Sequence, residues 1–206
     1  IALVSGGIGV LAYSPFDYWP IAFLSASGLI WIVTQQPRKT ALIGSFLWAV
    51  SYFAVGVNWV QISMIQFGGV PEMVSYAAVL LLAAYLALYS LLFGYLSQRF
   101  KLTHPLALAS LFTFAEFLRE TVFTGFPWLQ FGYSLIDSPF SSLAPLFGVE
   151  GLTFFVIATS GYLVAIFCNV AKKRADLPAC LVQLVGLIGL VCASHLVPTL
   201  PLDDSK

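Results

Sequence analysis

Long apolar stretches, separated by short polar or proline-containing connections, fill almost the whole chain. Seven stretches can be distinguished, at residues 1–13, 20–34, 41–57, 73–97, 106–122, 143–168 and 178–197. A helix needs about 20 apolar residues to cross a bilayer. The runs are continuous, whereas the strands of an outer-membrane barrel alternate apolar and polar residues. We therefore predict an all-α, polytopic membrane helix bundle with about seven transmembrane helices, in which residues 1–206 form one transmembrane domain.

The composition supports this fold class and excludes one class of partner. The chain is 60% hydrophobic and only 9% charged, whereas soluble domains are about 25% charged. The formal net charge is zero, so the chain offers no basic surface for nucleic acid. The membrane itself is the first predicted partner.

The distribution of positive charge predicts how the bundle is oriented. Seven of the nine Lys and Arg residues fall in the second, fourth and sixth connections: Arg38, Lys39, Arg99, Lys101, Lys172, Lys173 and Arg174. The first, third and fifth connections carry Asp17, Glu72 and Asp137 and contain no Lys or Arg. Because cytoplasmic loops are enriched in Lys and Arg, we predict a cytoplasmic N-terminus and a C-terminus on the outer side.

Residues 113–134 contain charged residues on a predicted membrane helix, followed by an aromatic segment in which glycine and proline interrupt the helix. Glu116, Arg119 and Glu120 are spaced to share one face of a helix. Charged groups inside a membrane usually face the protein interior or a wet cavity and pair there. Two interpretations follow for this cluster. It is either a structural ion pair or an outward-reaching arginine, or Arg119 binds an anionic headgroup or a carbonyl at the outer leaflet while a carboxylate holds its guanidinium group.

The second half of this region, residues 124–134, contains Trp128, Gln130 and Tyr133 among glycine and proline. Trp and Tyr are common at membrane interfaces, so an aromatic belt is one interpretation. Irregular backbone at membrane depth persists only where protein or a water-filled cavity covers it. The other interpretation is therefore a folded lip beside a groove.

Asn58 and Trp59 begin a semi-polar segment, residues 58–72, on the same predicted outer face. A plain amphipathic surface loop is the simpler interpretation, and contact with lipid is the alternative. The complete set of candidate lipid-binding residues is Arg119, Glu116, Trp128, Gln130, Tyr133, Asn58 and Trp59.

No pattern in the chain indicates catalytic chemistry. A nucleophile with its base, a metal-ligand spacing and a phosphate-binding loop are all missing from the sequence. We therefore predict no catalytic residue, no metal and no cofactor in this chain. Cys168, Cys180 and Cys192 are interpreted as small apolar core residues; the alternative is a reactive thiol at Cys192, three residues before His195.

Five segments, in order along nearly the whole chain, resemble the membrane portion of bacterial apolipoprotein N-acyltransferases. They are LAYSPFDYWP, GVNWVQISMIQFGGVP, LLAAYLALYSLLFG, EFLRETVFTGFPWLQFGYSLIDSP and LAPLFGVEGLTF. The FGG-x-P and TGFPW-x-Q-x-GYS patterns are the most specific of these. Glu120 departs from the family pattern, in which a small residue, usually glycine, follows the arginine.

The resemblance implies a function in lipoprotein maturation. Such enzymes take an acyl chain from a phospholipid, typically phosphatidylethanolamine, and transfer it to the N-terminal amino group of diacylglyceryl-cysteine in lipoproteins. They lie in the bacterial inner membrane, and we expect a monomer. A nitrilase-like periplasmic domain with Glu, Lys and Cys performs the chemistry through a thioester. In such enzymes that domain follows the seventh helix, so the resemblance implies that it comes after residue 206. The chain starts without Met and ends in a polar run, and we interpret it as a segment of a longer protein.

On this interpretation the present segment positions the lipid substrates and the catalytic domain. Two alternatives remain open from the residues alone. A transporter or channel subunit would need ionisable groups on several helices at matching depth, and the sequence has one such cluster. A passive membrane anchor would leave all specificity to the missing domain.

Overall fold

The computed structural model describes residues 1–171 together with residues 181, 182, 184–186, 188, 189, 191 and 192. Helices and turns make up this described part, and it contains no strand. The α-helices are α1 Ala2–Ile8, α2 Pro20–Gln35, α3 Arg38–Gly56, α4 Trp59–Gln66, α5 Glu72–Arg99, α6 Pro105–Thr121 and α7 Ala144–Ala171. A 3-10 turn, Gly9–Ala12, continues α1, and the described residues of 181–192 are also helical. The predicted all-α membrane helix bundle is confirmed.

The helices between residues 1 and 171 begin and end close to the predicted bounds, with one difference. Both ends of the last predicted helix, residues 178–197, lie outside the described residues. Residues 58–72, predicted as a semi-polar connection, contain the short helix α4. This part has neither glycine nor proline before Gly68, so nothing interrupts a helix there. It ends where the amides of Gly68 and Val70 both donate to the carbonyl of Met64, 3.1 Å away in each case. Gly69 then turns the chain at φ +62°.

Among the described residues, three helical segments are long and apolar enough to cross a membrane by themselves: α3, α5 and Ser141–Ala171, which is α7 with the turn before it. Ala2–Ala12 and Pro20–Gln35 are apolar but shorter. The helix α3 packs most extensively on α5 and α1, while α7 packs on α6 and α2. Small residues permit close approach of such helices: a Cβ on Gly6 would lie 2.1 Å from the carbonyl oxygen of Trp48.

The connections divide between two ends of the bundle. We call the end with Asp17, Glu72 and Asp137 the acidic end, and the end with Arg38, Lys39, Arg99 and Lys101 the basic end. At the basic end the guanidinium of Arg38 lies 5.4 Å from the ring centroid of Tyr95. Residues 172–174, which hold the sixth connection's positive charges, lie outside the described residues. Which end faces the cytoplasm stays a prediction.

Candidate functional site

A cavity of about 590 Å³ opens at the acidic end of the bundle. Three connections that are far apart in sequence form its walls. The lining residues are Tyr13, Ser14 and Asp17 from the first, Gly56 and Trp59 from α3 and α4, and Pro127, Trp128, Leu129, Tyr133, Ile136 and Asp137 from the fifth. The fold thus brings the aromatic segment, residues 122–137, against the turn that follows the first helix.

Three of the predicted lipid-binding residues line this cavity. Trp59, Trp128 and Tyr133 are 50%, 53% and 42% exposed, so their rings are available to a ligand. Asn58 is also exposed, at the start of α4, but it does not line the cavity.

Arg119, Glu116 and Gln130 are buried behind the cavity wall. The Arg119 side chain donates from Nε to Glu116 Oε1 at 3.1 Å and from Nη2 to Glu116 Oε2 at 2.7 Å. Its Nη1 donates to the backbone carbonyls of Phe126 and Trp128, the latter at 2.9 Å. Because all three nitrogens are bonded within the protein and the residue is 1% exposed, the geometry is that of the structural ion pair. A direct hydrogen bond from Arg119 to a lipid headgroup does not fit it.

The backbone of the aromatic segment explains why an arginine is buried here. Phe123, Thr124 and Leu129 have φ of +54°, +72° and +63°, and Gly125 has φ +77°. A chain with such torsions forms no regular helix, so its carbonyl groups need partners from elsewhere. Where the protein buries these carbonyls, water does not supply the partners. The guanidinium of Arg119 satisfies two of these carbonyls, while Glu116 balances its charge and the Phe53 ring lies 5.1 Å from it.

A pair of tyrosines satisfies the next carbonyl. The Tyr52 hydroxyl donates to the carbonyl oxygen of Leu129 at 2.9 Å, and the Tyr13 hydroxyl lies 3.2 Å from the same oxygen. The two hydroxyls are also hydrogen-bonded to each other. The Tyr52 ring is stacked on Trp48, with 5.0 Å between centroids. This contact joins the first connection, α3 and the aromatic segment at one point.

Neither tyrosine is among the residues predicted from the sequence. Tyr13 stands in the LAYSPFDYWP segment that carries part of the family resemblance, which was the available signal. Tyr52 is one aromatic residue within an apolar helix, and nothing in the spacing distinguishes it from a core residue.

The predicted charge cluster on α6 is divided between two partners. Glu120 does not pair with Arg119; instead the side-chain amide of Gln130 donates to Glu120 Oε2 at 2.7 Å. Gln130 is 1% exposed, so its amide is committed to this contact and does not reach the cavity. Glu120 therefore joins the end of α6 to the aromatic segment.

We expect removal of the Tyr52 hydroxyl to cost about 1 kcal/mol, the net value of one hydrogen bond. The reason is that Tyr13 remains close enough to donate to Leu129 in the Tyr52→Phe variant. Replacing both Tyr13 and Tyr52 by Phe leaves this carbonyl without either donor, so we expect about 1–3 kcal/mol more. Unfolding of the two single variants and the double variant in mixed micelles measures this. Strictly additive effects would contradict a shared acceptor.

The described residues contain no group of three or more His, Cys, Asp or Glu that could hold a metal ion. Cys168 is buried on α7 and Cys192 is exposed. Cys180 and His195 lie outside the described residues, so the alternative of a reactive Cys192 with His195 stays a prediction.

Comparison with known proteins identifies relatives over most of the chain. The profile of the family described as "Apolipoprotein N-acyltransferase N-terminal domain" matches residues 5–162. A protein of Haemophilus ducreyi is 59% identical over 98% of this chain and 39% of its own length. One of Pasteurella multocida is 57% identical over 79% of this chain and 31% of its own length. One of Haemophilus influenzae is 50% identical over 84% of this chain and 33% of its own length.

All three relatives are named apolipoprotein N-acyltransferase. The chain spans less than half the length of each of them. The match includes the first connection, α3, α4 and the aromatic segment, and so all the elements that form the cavity.

Proposed function

The chain belongs to the apolipoprotein N-acyltransferase family, and from this we propose that it is the membrane domain in which such an enzyme holds its lipid substrates. In this proposal the enzyme transfers an acyl chain from a phospholipid, with phosphatidylethanolamine as the donor, to the N-terminal amino group of diacylglyceryl-cysteine in a lipoprotein. The relatives extend well beyond the matched region, and the proposal assigns bond formation to that additional part, a nitrilase-like domain.

The cavity at the acidic end is the observation on which this proposal rests. Trp and Tyr rings place an apolar body and a polar edge at headgroup depth, and Trp59, Trp128 and Tyr133 present such rings to the cavity. An acyl chain already lies in an apolar bilayer and gains little from further apolar contact. Selection between lipids therefore depends on groups around the headgroup, where these side chains lie.

The proposed orientation places this cavity on the periplasmic side of the bacterial inner membrane. The basic end faces the cytoplasm under the positive-inside rule, so the acidic end faces outward. A phospholipid of the outer leaflet and the diacylated N-terminus of a lipoprotein could both approach the cavity from there.

The buried residues have a different part in this proposal from the one expected from the sequence. Arg119, Glu116 and Gln130 position the wall that carries Trp128 and Tyr133, and they do not touch lipid. Arg119 is bonded to the Trp128 carbonyl itself, so its contact sets where that residue's backbone lies. Asn58 retains the role of a rim residue outside the cavity.

We expect Trp128→Ala and Trp59→Ala in the intact enzyme each to raise the KM for the phospholipid donor about five- to tenfold, in line with the free energy of an aromatic contact. The measurement is acyl transfer to a diacylated lipopeptide over a range of donor concentrations. Trp31→Ala is the matched control, because Trp31 lies in an apolar groove with Phe167 on the α2–α7 surface, away from the cavity.

Unchanged kinetics in both cavity variants would contradict the proposal and favour a passive anchor. An equal loss in Trp31→Ala would do the same, because the loss would then reflect general damage to the bundle.

A further inference from the structure

The cavity at the acidic end has an unbalanced charge. Asp17 and Asp137 both line it, and its lining contains no Lys, Arg or His. Both residues are exposed, and in the described part of the chain neither carboxylate has a basic side chain within salt-bridge distance. Arg119 is committed to Glu116 and to backbone carbonyls behind the wall. The cavity therefore offers a ligand two carboxylates that no described residue of the chain neutralises.

Aromatic residues share the lining of the cavity with these carboxylates. Tyr13, Trp59, Trp128 and Tyr133 line the same cavity. The face of a Trp or Tyr ring attracts a cation within about 6 Å of its centroid. Carboxylates combined with such rings favour an organic cation over a neutral or anionic group.

Two other ligand classes fit this lining poorly. A hard metal such as Ca²⁺ takes about six to eight oxygen ligands, and two carboxylates supply too few. The phosphate of a lipid headgroup would be repelled by both carboxylates and would find no cationic partner in the lining. A phosphate must therefore remain outside, with a positively charged group extending inward from it.

We propose that the cavity binds a primary ammonium group through Asp17 and Asp137, with the aromatic rings enclosing it. The inference rests on the proposed function, which offers two sources for such a group: the headgroup of an ethanolamine phospholipid and the N-terminal amine of the diacylated lipoprotein. A volume of about 590 Å³ is in the usual range for a small-molecule site. An acidic cavity of this kind discriminates against phospholipids whose headgroups carry no positive charge.

The first test uses the intact enzyme without substitution, and compares ligands in matched pairs. One pair is phosphatidylethanolamine and phosphatidylglycerol with identical short acyl chains. The other is a diacylated cysteine lipopeptide with a free amine and the same peptide N-acetylated. Native mass spectrometry in detergent measures binding. We expect preference for the ammonium-bearing member in at least one pair, and the pair that shows it identifies the source. Equal binding within both pairs overturns the proposal.

The second test neutralises the carboxylates. Asp17→Asn with Asp137→Asn should weaken binding of the preferred ligand about five- to tenfold, the size expected for two partly exposed ion pairs. Binding of the N-acetylated peptide should stay the same, and binding of phosphatidylglycerol should not weaken, because two repelling carboxylates are removed. Asn tolerates the left-handed φ of +56° found at Asp17. Glu72→Gln is the matched control, since Glu72 is an exposed carboxylate of the acidic end that does not line the cavity.

The outcomes separate this inference from the proposed function. A double variant that binds both members of the preferred pair as the parent does overturns the ammonium site, whether or not acyl transfer is observed. If the parent enzyme prefers the ammonium-bearing ligand, the double variant loses this preference and no acyl transfer is observed, the site is supported and the proposed function is contradicted. The screening of exposed charges predicts in addition that the preference declines as ionic strength rises.

Discussion

Replacing Arg119 by alanine is expected to destabilise the bundle by about 3–5 kcal/mol, the cost of removing one partner from a buried ion pair. The substitution leaves the Glu116 carboxylate, 7% exposed, without its counter-ion. It also removes the donor to the carbonyls of Phe126 and Trp128. The protein buries Glu116, so water cannot replace the guanidinium as its partner. The cavity wall at Trp128 should therefore loosen together with the end of α6.

Unfolding of the purified protein by SDS in mixed micelles measures this effect. Arg119→Lys keeps the charge but lacks the planar fork that holds Glu116 through two nitrogens, so an intermediate loss is expected. The informative comparison is Arg119→Met combined with Glu116→Leu. Removing both charges avoids the unpaired carboxylate, and this pair should cost less than Arg119→Ala alone. A double variant that is less stable than Arg119→Ala would contradict the assigned role of the ion pair.

Replacing Gly125 by alanine is expected to cost about 3 kcal/mol or more. Gly125 has φ +77° and ψ +156°, a region that is essentially restricted to glycine and costs other residues about 1–3 kcal/mol. A Cβ at this position would also lie 1.7 Å from the carbonyl oxygen of Glu120. That atom belongs to the backbone at the end of α6, so it cannot move aside as a flexible side chain would. The turn that directs the aromatic segment back towards Arg119 would have to open.

Gly69→Ala separates torsional strain from this collision. Gly69 also has a positive φ, +62°, but a Cβ there would meet nothing within 4 Å. The expected cost is about 1–2 kcal/mol, that of a left-handed conformation alone. Thermal unfolding of both variants in the same detergent makes the comparison. Equal losses at the two positions would show that contact with Glu120 contributes nothing.

Much of the fold could be predicted because it follows from local chemistry. Apolar runs long enough for a membrane require helices, since only a helix or a closed barrel satisfies the backbone in lipid. Polar residues and prolines then mark where each helix ends. Helix α4 was not predicted, because a short helix and a surface loop can have the same amphipathic composition. Only the turn at Gly68 and Gly69 distinguishes where that helix stops.

The candidate site was predictable only in part. Trp59, Trp128 and Tyr133 belong to odd-numbered connections, and alternating helices bring such connections to one end whatever the details of packing. The partner of Arg119 could not be predicted, because helical spacing places Arg119 beside both Glu116 and Glu120 and does not favour either. Glu120 bonds instead to Gln130, ten residues along the chain, which no helical rule anticipates. The partnership of Tyr13 and Tyr52 depends in the same way on how α3 meets the first connection.

The sequence by itself determined that this chain is a membrane bundle, where its long helices lie and which connections share an end, because these properties depend on hydrophobicity, length and alternation. Only the tertiary structure decided that Arg119 faces the protein and that Asp17 and Asp137 face a common cavity. The physical reason is that a polar group can be buried only where hydrogen-bond or charge partners are available to it. Here those partners are carbonyls of an irregular segment, whose positions no periodic pattern encodes.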